Sequence, residues 1–176
     1  MLPELRTPRL LLRAFTLDDA AALTAALGAR EVSDTTLSIP HPYERSMADS
    51  WIAGLAAAFE RRELAVFAVA DGSGELVGSV ALALGGDGQG ELGYWTALPH
   101  WGKGYSTEAA RALVAWGFES LGLHRVHAHH FARNPASGRV LRKLGMREEG
   151  VLRRHVMKNG RFEDVVCYGL APGGMR

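Results

Sequence analysis

Cysteine is nearly absent: Cys167 is the only one among 176 residues, which excludes an internal disulfide. A single free thiol suits a reducing compartment, so we expect the protein in the cytoplasm. No apolar run approaches the roughly 18 residues of a membrane-spanning helix, and no membrane partner is expected. The 20 Lys and Arg are matched by 19 Asp and Glu. Because this balance provides no overall basic surface, we expect no direct nucleic-acid partner.

Metal ligands are also too few for a convincing site. His127 and His129 would share one strand face, with His124 and His130 nearby. A complete metal site needs more ligands than this spacing supplies, and Arg125 would repel a cation. We therefore predict no metal and expect these histidines to pair across a strand or to face solvent.

Apolar residues, by contrast, are plentiful at 47%, enough for a packed core. The length predicts one domain over residues 1–176. The apolar periodicities predict the order β-α-α-β-β-β-α-β-α-β-β, a mixed α/β domain. The predicted strands are 10–15, 64–70, 75–84, 91–98, 125–131, 146–158 and 162–170. The predicted helices are about 16–27, 46–61, 105–121 and a shorter one from Pro135 that Gly145 ends, with 28–45 irregular.

Two glycines one residue apart, Gly102 and Gly104, precede the longest predicted helix. Glycine has no Cβ, so the backbone can turn tightly there and expose its N–H groups. Ser106 and Thr107 follow at the helix start, where free N–H donors and the helix dipole attract phosphate. A Walker loop needs Ser or Thr directly after the lysine, but Gly104 follows Lys103. A dinucleotide fingerprint needs a glycine at position 107, where this chain has Thr107, so neither motif fits. It predicts a phosphate-binding loop, with a plain strand-to-helix turn as the alternative.

Together these features resemble the GNAT superfamily of acetyl-CoA-dependent N-acetyltransferases over nearly the whole chain. The resemblance is greatest to the Rim-type branch, which acetylates the N-termini of ribosomal proteins. It rests on residues 7–13, 93–95, 101–109, 134–137 and 143–146, and on Asp164. It implies a mostly antiparallel sheet of about seven strands with about four helices and a splayed parallel pair at the centre.

The resemblance also implies acetyl-CoA as co-substrate. Backbone N–H groups over 103–107 would bind its pyrophosphate, with Lys103 as a nearby counter-charge. The pantetheine arm would lie between the strands 91–98 and 125–131, and Asn134 would bond it, although Asn134 also fits a helix N-cap. The implied coenzyme-binding residues are Tyr94, Trp95, Trp101, Gly102, Lys103, Gly104, Tyr105, Ser106, Thr107, Asn134 and Ser137.

Departures from the family pattern bear on the coenzyme A thiolate, which is the leaving group when the acetyl group is transferred. Many members carry a tyrosine seven residues after the asparagine, which protonates the thiolate, but Leu141 stands there in this chain. In the Rim-type branch a serine at the position of Ser137 is implied to serve the thiolate instead. The alternative for Ser137 is a small polar residue in a first helical turn. By the same resemblance, the backbone N–H of Tyr94 or Trp95 would polarise the thioester carbonyl.

Amine acetylation also requires a neutral nitrogen. At pH 7, deprotonating an α-amine costs about 1 kcal/mol, whereas a lysine costs about 4.6 kcal/mol, so a modest base suffices for an N-terminus. Glu91 is the best candidate, because Glu91, Gly93 and Trp95 share one strand face beside the expected splay. Its alternative is an exposed acid at a strand edge. Glu108 is a weaker candidate for the base, because an acid in the first turn of a helix is explained by the helix dipole alone. We expect Cys167 to be a small buried apolar side chain rather than a nucleophile.

The acceptor is open among three hypotheses. The first is a protein N-terminal α-amine, such as that of a ribosomal protein; the second is a small amine such as an amino acid, polyamine or aminoglycoside. The third is a non-catalytic module that senses acetyl-CoA. Residues 28–45, the helix with Trp51 and the Asn159-Gly160 hairpin would wall the acceptor cleft by family analogy, and a strongly acidic wall would favour cationic acceptors. Whether the protein forms a homodimer is also open.

Overall fold

An eight-stranded sheet forms the centre of the computed structural model, which describes residues 1–175. Its order across the sheet is β1-β2-β3-β4-β5-β6-β8-β7. The strands are β1 (Leu5–Arg6), β2 (Leu10–Arg13), β3 (Leu64–Asp71), β4 (Leu76–Leu84), β5 (Gln89–Thr96), β6 (Arg125–Phe131), β7 (Arg147–Lys158) and β8 (Arg161–Leu170). All neighbours are antiparallel except β5 and β6. The predicted mixed α/β, mostly antiparallel fold is confirmed.

Within the described residues five helices accompany the sheet, four of them nine residues or longer. They are α1 (Ala20–Gly28), α2 (Arg30–Asp34), α3 (Arg45–Glu60), α4 (Tyr105–Leu121) and α5 (Pro135–Lys143). Short 3₁₀ turns cover Leu17–Asp19 and Leu98–His100. No helix within residues 1–175 has the length and apolar character required to cross a bilayer.

The parallel pair separates after a short contact. β5 and β6 pair at three positions only, Gln89 with Arg125, Gly90 with Val126 and Glu91 with His127. Beyond them β5 continues beside β4 as far as Thr96, and β6 continues beside β8 as far as Phe131. The splay predicted between these strands is therefore confirmed, and it leaves a gap between β5 and β6.

Each face of the sheet has its own core, because neighbouring residues in a strand point to opposite faces. On one face the fully buried Phe67 and Leu113 join β3 to α4, and the Phe67 ring meets Trp116 edge-on at 5.4 Å. On the other face Ala68 packs with Leu23 of α1 in a second, separate cluster of buried apolar residues. Burying each large apolar side chain stabilises the fold by about 1.5–3 kcal/mol. The first core also contains Leu92 of β5 and Ala109 of α4, so it holds together the strand and the helix on either side of the glycine loop.

Several predicted boundaries were wrong. The two-residue β1, which pairs Leu5 with Leu12, adds an eighth strand that is too short for an alternation signal. β2 ends at Arg13, because the segment from Thr16 turns into the 3₁₀ helix. Residues 28–45 contain α2, and α3 begins at Arg45 rather than Ser46. β5 runs from 89 to 96 rather than 91 to 98, since the chain turns at Leu98–His100.

Candidate active site

The loop before α4 has the backbone geometry that its glycines predict. Gly102 and Gly104 have φ angles of +78° and +81°, a region that side chains with a Cβ rarely adopt. The first helical bond runs from the Glu108 N–H to the Gly104 carbonyl at 3.1 Å. The N–H groups of 105–107 therefore have no acceptor within the helix and are available to an anion at this end of the dipole.

Side chains around this loop brace it against the end of β5. The Trp101 indole N–H donates to the Thr96 carbonyl at 2.7 Å, and the Ser106 hydroxyl lies 2.7 Å from that of Thr96. Lys103 Nζ lies 3.2 Å from His100 Nδ1, which keeps an ammonium group beside the loop. The predicted loop residues are thus brought together, and both the Trp101 and the Ser106 side chains bond to Thr96. Their contact with coenzyme A stays a prediction.

The N-terminal segment contributes a brace that the sequence did not reveal. Arg9 donates through Nη1 to the Lys103 carbonyl at 2.9 Å and through Nε to the Glu108 carboxylate at 2.7 Å. The Thr7 hydroxyl donates to Glu108 at 2.6 Å. Burial opposes ionisation of Glu108, but the bonds from Thr7 and Arg9 outweigh it and lower the pKa of that carboxyl. The dipole alone was therefore the wrong account of Glu108, which ties residues 7–9 to α4. The Arg9 guanidinium also lies 5.0 Å from the centre of the Tyr105 ring.

On the other side of the gap, α5 presents Asn134 and Ser137. Asn134 Oδ1 accepts from the Ser137 N–H at 3.4 Å, so the helix N-cap role of Asn134 is confirmed. The Tyr94 hydroxyl reaches across the gap to lie 2.7 Å from Ser137 Oγ and 3.1 Å from the Ser137 carbonyl oxygen. Burial raises the pKa of Tyr94, so its phenol stays neutral. Leu141 is fully buried and carries no proton donor.

Glu91 lies where the two strands part, and it has a partner. The Nδ1–H of His129 donates to Glu91 Oε1, with 2.9 Å between the two atoms. This bond lowers the pKa of Glu91 despite partial burial and raises the pKa of His129. The sequence placed His127 and His129 on one face but did not link either to Glu91. The parallel pairing of Glu91 with His127 puts all three on the same face, which is the signal that was available.

A cavity of about 650 Å³ lies over this region and is lined by Glu91, Tyr94, Trp95, His129 and Ser137. We call it the β5–β6 cavity. Its outer wall comes from residues 35–43 and from α1 and α3, and is largely apolar, including Leu27, Leu37, Ile39, Tyr43, Met47 and Trp51. Among the lining residues in the described part of the chain, Glu91 is the only carboxylate. Residues 35–40, Tyr43 and Trp51 from the predicted wall line this cavity, and its use by the acceptor stays a prediction.

The Asn159-Gly160 hairpin does not line the cavity but bonds to the segment that forms its wall. The buried Lys158 donates to the Ile39 carbonyl at 2.6 Å and to the Leu37 carbonyl at 3.4 Å. Asn159 donates to Asp34 at 3.1 Å. Burial lowers the pKa of Lys158. The end of the last hairpin thus anchors the segment that closes the β5–β6 cavity.

Cys167 lies directly across from His129 in the pairing of β6 with β8. Burial raises the pKa of its thiol, and the negative charges of Glu149 and Glu91 add to the effect. A thiol that stays protonated is a poor nucleophile, so a covalent acetyl-cysteine step is disfavoured. Within residues 1–175 no group of three or more His, Cys, Asp or Glu side chains could hold a metal ion.

Comparison with known proteins gives a consistent result. Residues 9–147 match the family model for the acetyltransferase (GNAT) domain. The uncharacterized N-acetyltransferase YoaA of Bacillus subtilis (strain 168) is 34% identical over 174 residues, covering 97% of each chain. RimJ of Mycobacterium smegmatis, solved with a CoA-disulfide, is 25% identical with a TM-score of 0.87, over 97% of this chain and 87% of that one.

A second solved structure supports the fold alone, because the sequence identity is only 17%. It is RimL, a ribosomal L7/L12 α-N-protein acetyltransferase in complex with coenzyme A, with a TM-score of 0.88 over 96% of this chain and 98% of that one. The glycine loop before α4 and the splayed β5–β6 pair agree with what the resemblance to this family implied. The chain belongs to the acetyltransferase (GNAT) family, with the Rim-type branch supported, and is an acetyl-CoA-dependent N-acetyltransferase.

Proposed function

We propose that the enzyme transfers the acetyl group of acetyl-CoA directly to a protein N-terminal α-amine, of the kind that ribosomal proteins present. The observation that carries this choice is the composition of the β5–β6 cavity, where a largely apolar wall surrounds one carboxylate, Glu91. The similarity to RimJ is consistent with it. An N-terminus carries one ionisable amine with a lower pKa than lysine, so a single modest base can prepare it for attack.

Small polycations fit this cavity less well. A polyamine or an aminoglycoside brings several ammonium groups, and each one that enters an apolar site without a partner costs several kcal/mol. Beyond Glu91 the wall offers the hydroxyl residues Thr35, Thr36 and Ser38, which carry no negative charge. A neutral amino acid remains the second candidate acceptor, because it too carries one α-amine.

The coenzyme would lie along the gap between β5 and β6. Its pyrophosphate would accept from the N–H groups at the start of α4, beside the ammonium of Lys103. Neighbouring N–H groups of a strand point to opposite edges, so either Tyr94 or Trp95 directs its N–H into the gap, where the thioester carbonyl would lie. Asn134, at the N-terminus of α5, would contact the pantetheine arm from the other side.

We assign protonation of the departing thiolate to Ser137, with Tyr94 as its positioning residue. When the Tyr94 hydroxyl donates to Ser137 Oγ, the Ser137 proton is directed away from Tyr94 and can move to the sulfur. The same bond stabilises the negative charge that develops on Oγ. Glu91 is on the opposite face of β5 from Tyr94. With its partner His129, it would assist the removal of a proton from the acceptor amine.

We extend the proposal to residues 1–176 as one catalytic domain that works in the cytoplasm, where Cys167 stays reduced. It requires no metal, nucleic acid or membrane. A homodimer is compatible with it, and light scattering during size-exclusion chromatography distinguishes the two states.

The test is thiol release from acetyl-CoA with three acceptor classes: peptides with free N-termini, the same peptides with blocked N-termini, and small amines including spermidine. We expect turnover only with the free N-termini, at the α-amine. Turnover with spermidine and none with the peptides would establish the small-amine alternative. Saturable acetyl-CoA binding without turnover on any acceptor would establish the non-catalytic module.

A further inference from the structure

The carboxylate expected to act as base is not free. Glu91 is the last residue of β5 to pair with β6, and its register partner is His127. His129 lies two residues further along β6, on the same face, where the strands have begun to separate. His129 Nδ1 lies 2.9 Å from Glu91 Oε1 across this opening. Both side chains line the β5–β6 cavity, and 32% of the His129 side chain and 41% of the Glu91 side chain are exposed.

The direction of this bond decides which atom can accept a proton. An ionised carboxylate only accepts hydrogen bonds, so His129 Nδ1 must be the donor. In the neutral ring the lone pair is then on Nε2. Glu91 is a weakened base, because the bond from His129 lowers the pKa of the carboxyl. His129 is a strengthened one, since the same bond raises the pKa of its ring towards that of an α-amine.

We propose that His129 Nε2 takes the proton from the acceptor amine, while Glu91 acts as the positioning residue that orients the ring and stabilises its positive form. The inference rests on the proposed acetyl transfer. The amine nitrogen bonds to the acetyl carbon, the carbon–sulfur bond breaks, and the proton lost by nitrogen moves to Nε2. The thiolate takes the proton of Ser137, and Ser137 regains a proton from His129 through solvent. A neutral amine and the thioester thus give the amide and the thiol, with no net release of a proton.

The surroundings of His129 favour this role. Glu91 faces it from β5 and Cys167, a protonated thiol, lies across from it on β8. His127 lies on the same strand face, where the Glu149 carboxylate of β7 interacts with it. The lining residues 35–40 and Tyr43 add no charged side chain. Glu91 is therefore the dominant electrostatic partner of the ring.

The test measures kcat against pH for the wild type and three variants, with two peptides whose α-amines differ in pKa. For the wild type we expect activity to fall as the pH drops through a pKa above 6.5, at the same pH for both peptides. His129→Gln should lose that limb and about 10²- to 10⁴-fold in kcat, with coenzyme affinity unchanged. Glu91→Gln should move the limb to lower pH, because the ring loses the partner that raises its pKa.

His127→Gln is the matched control, since it changes a histidine on the same strand face that is not bonded to Glu91. It should keep both the rate and the pH limb. NMR titration of the His129 ring in the wild type and in Glu91→Gln gives a readout that needs no turnover. The inference is overturned if His129→Gln keeps the wild-type limb, or if the ring pKa is the same in Glu91→Gln.

Failure of the proposed acceptor would look different. If the wild type acetylates a small amine instead of a peptide, the acceptor assignment is wrong, and the same variants are measured on that amine. If peptides are acetylated and His129→Gln is as active as the wild type, only the role of His129 is wrong.

Discussion

Replacing Gly104 with valine tests the phosphate loop through its backbone. The φ angle of +81° is in the left-handed region, and a Cβ built there meets only Arg9 Nη2, at an ordinary 3.5 Å. A valine side chain is therefore not crowded at this position, and the cost of the substitution comes from the positive φ angle. A residue with a Cβ costs about 1–2 kcal/mol there, and a β-branched one up to about 3 kcal/mol.

The loop can avoid this cost by changing its φ angle, but the N–H groups at the start of α4 then lose their common direction. A loss of about 2–3 kcal/mol in binding corresponds to about 30- to 150-fold weaker affinity for coenzyme A. The fold should survive, because domains of this size are stable by about 5–15 kcal/mol. Isothermal titration calorimetry measures the affinity, and circular dichroism measures the melting temperature.

Gly122→Val is the matched control at the far end of the same helix. Gly122 also has a positive φ angle, +68°, and open space for a side chain. It should lower the melting temperature by a similar amount without changing the affinity for coenzyme A. Unchanged affinity in Gly104→Val, or an equal loss in both variants, would refute the assignment of the loop.

Four further changes test the remaining parts. Ser137→Ala should slow thiol release with little change in coenzyme affinity, and Tyr94→Phe should lower kcat by a smaller factor; wild-type turnover in both would leave Ser137 as a first-turn residue only. Lys158→Met removes the donor to the cavity wall and should raise KM for the peptide more than it changes kcat; an unchanged KM would contradict the anchoring. Asp19→Asn should cost about 2 kcal/mol at pH 7, since Asp19 bonds Arg13 through two oxygens at 2.8 Å each. Burial opposes the ionisation of Asp19, but the bonds from Arg13 and from the Thr16 backbone lower its pKa, so this contribution is fully present above about pH 5. It is lost as the pH falls through that lowered pKa, so the difference in melting temperature should shrink at pH 3; a constant difference would contradict the ion pair.

Two elements, α4 and β6, were predicted to the residue. The bounds of α4 were predictable because its apolar periodicity is long and Gly122 ends the helix with a positive φ angle. The two-residue β1 and the five-residue α2 were missed, since neither is long enough to show a period. The prolines at 40 and 42 made the whole of 28–45 look irregular, although only its second half is.

Site residues were predictable where they follow from local geometry, as in the glycine loop and the Asn134 cap. The pairs that join different elements were not predictable. The distance between Glu91 and His129 depends on how far β5 and β6 diverge, and the contact of Tyr94 with Ser137 depends on how α5 docks against β5. Sequence spacing contains neither quantity.

The most direct test of the central claim is hydrogen–deuterium exchange of the wild-type protein with and without acetyl-CoA. If the backbone at the start of α4 binds the pyrophosphate, exchange of the N–H groups over 103–107 should slow strongly on adding acetyl-CoA. The amides of the 85–88 turn, which precedes β5 and is not part of the glycine loop, should exchange as before. Equal exchange at 103–107 with saturating acetyl-CoA would contradict the account.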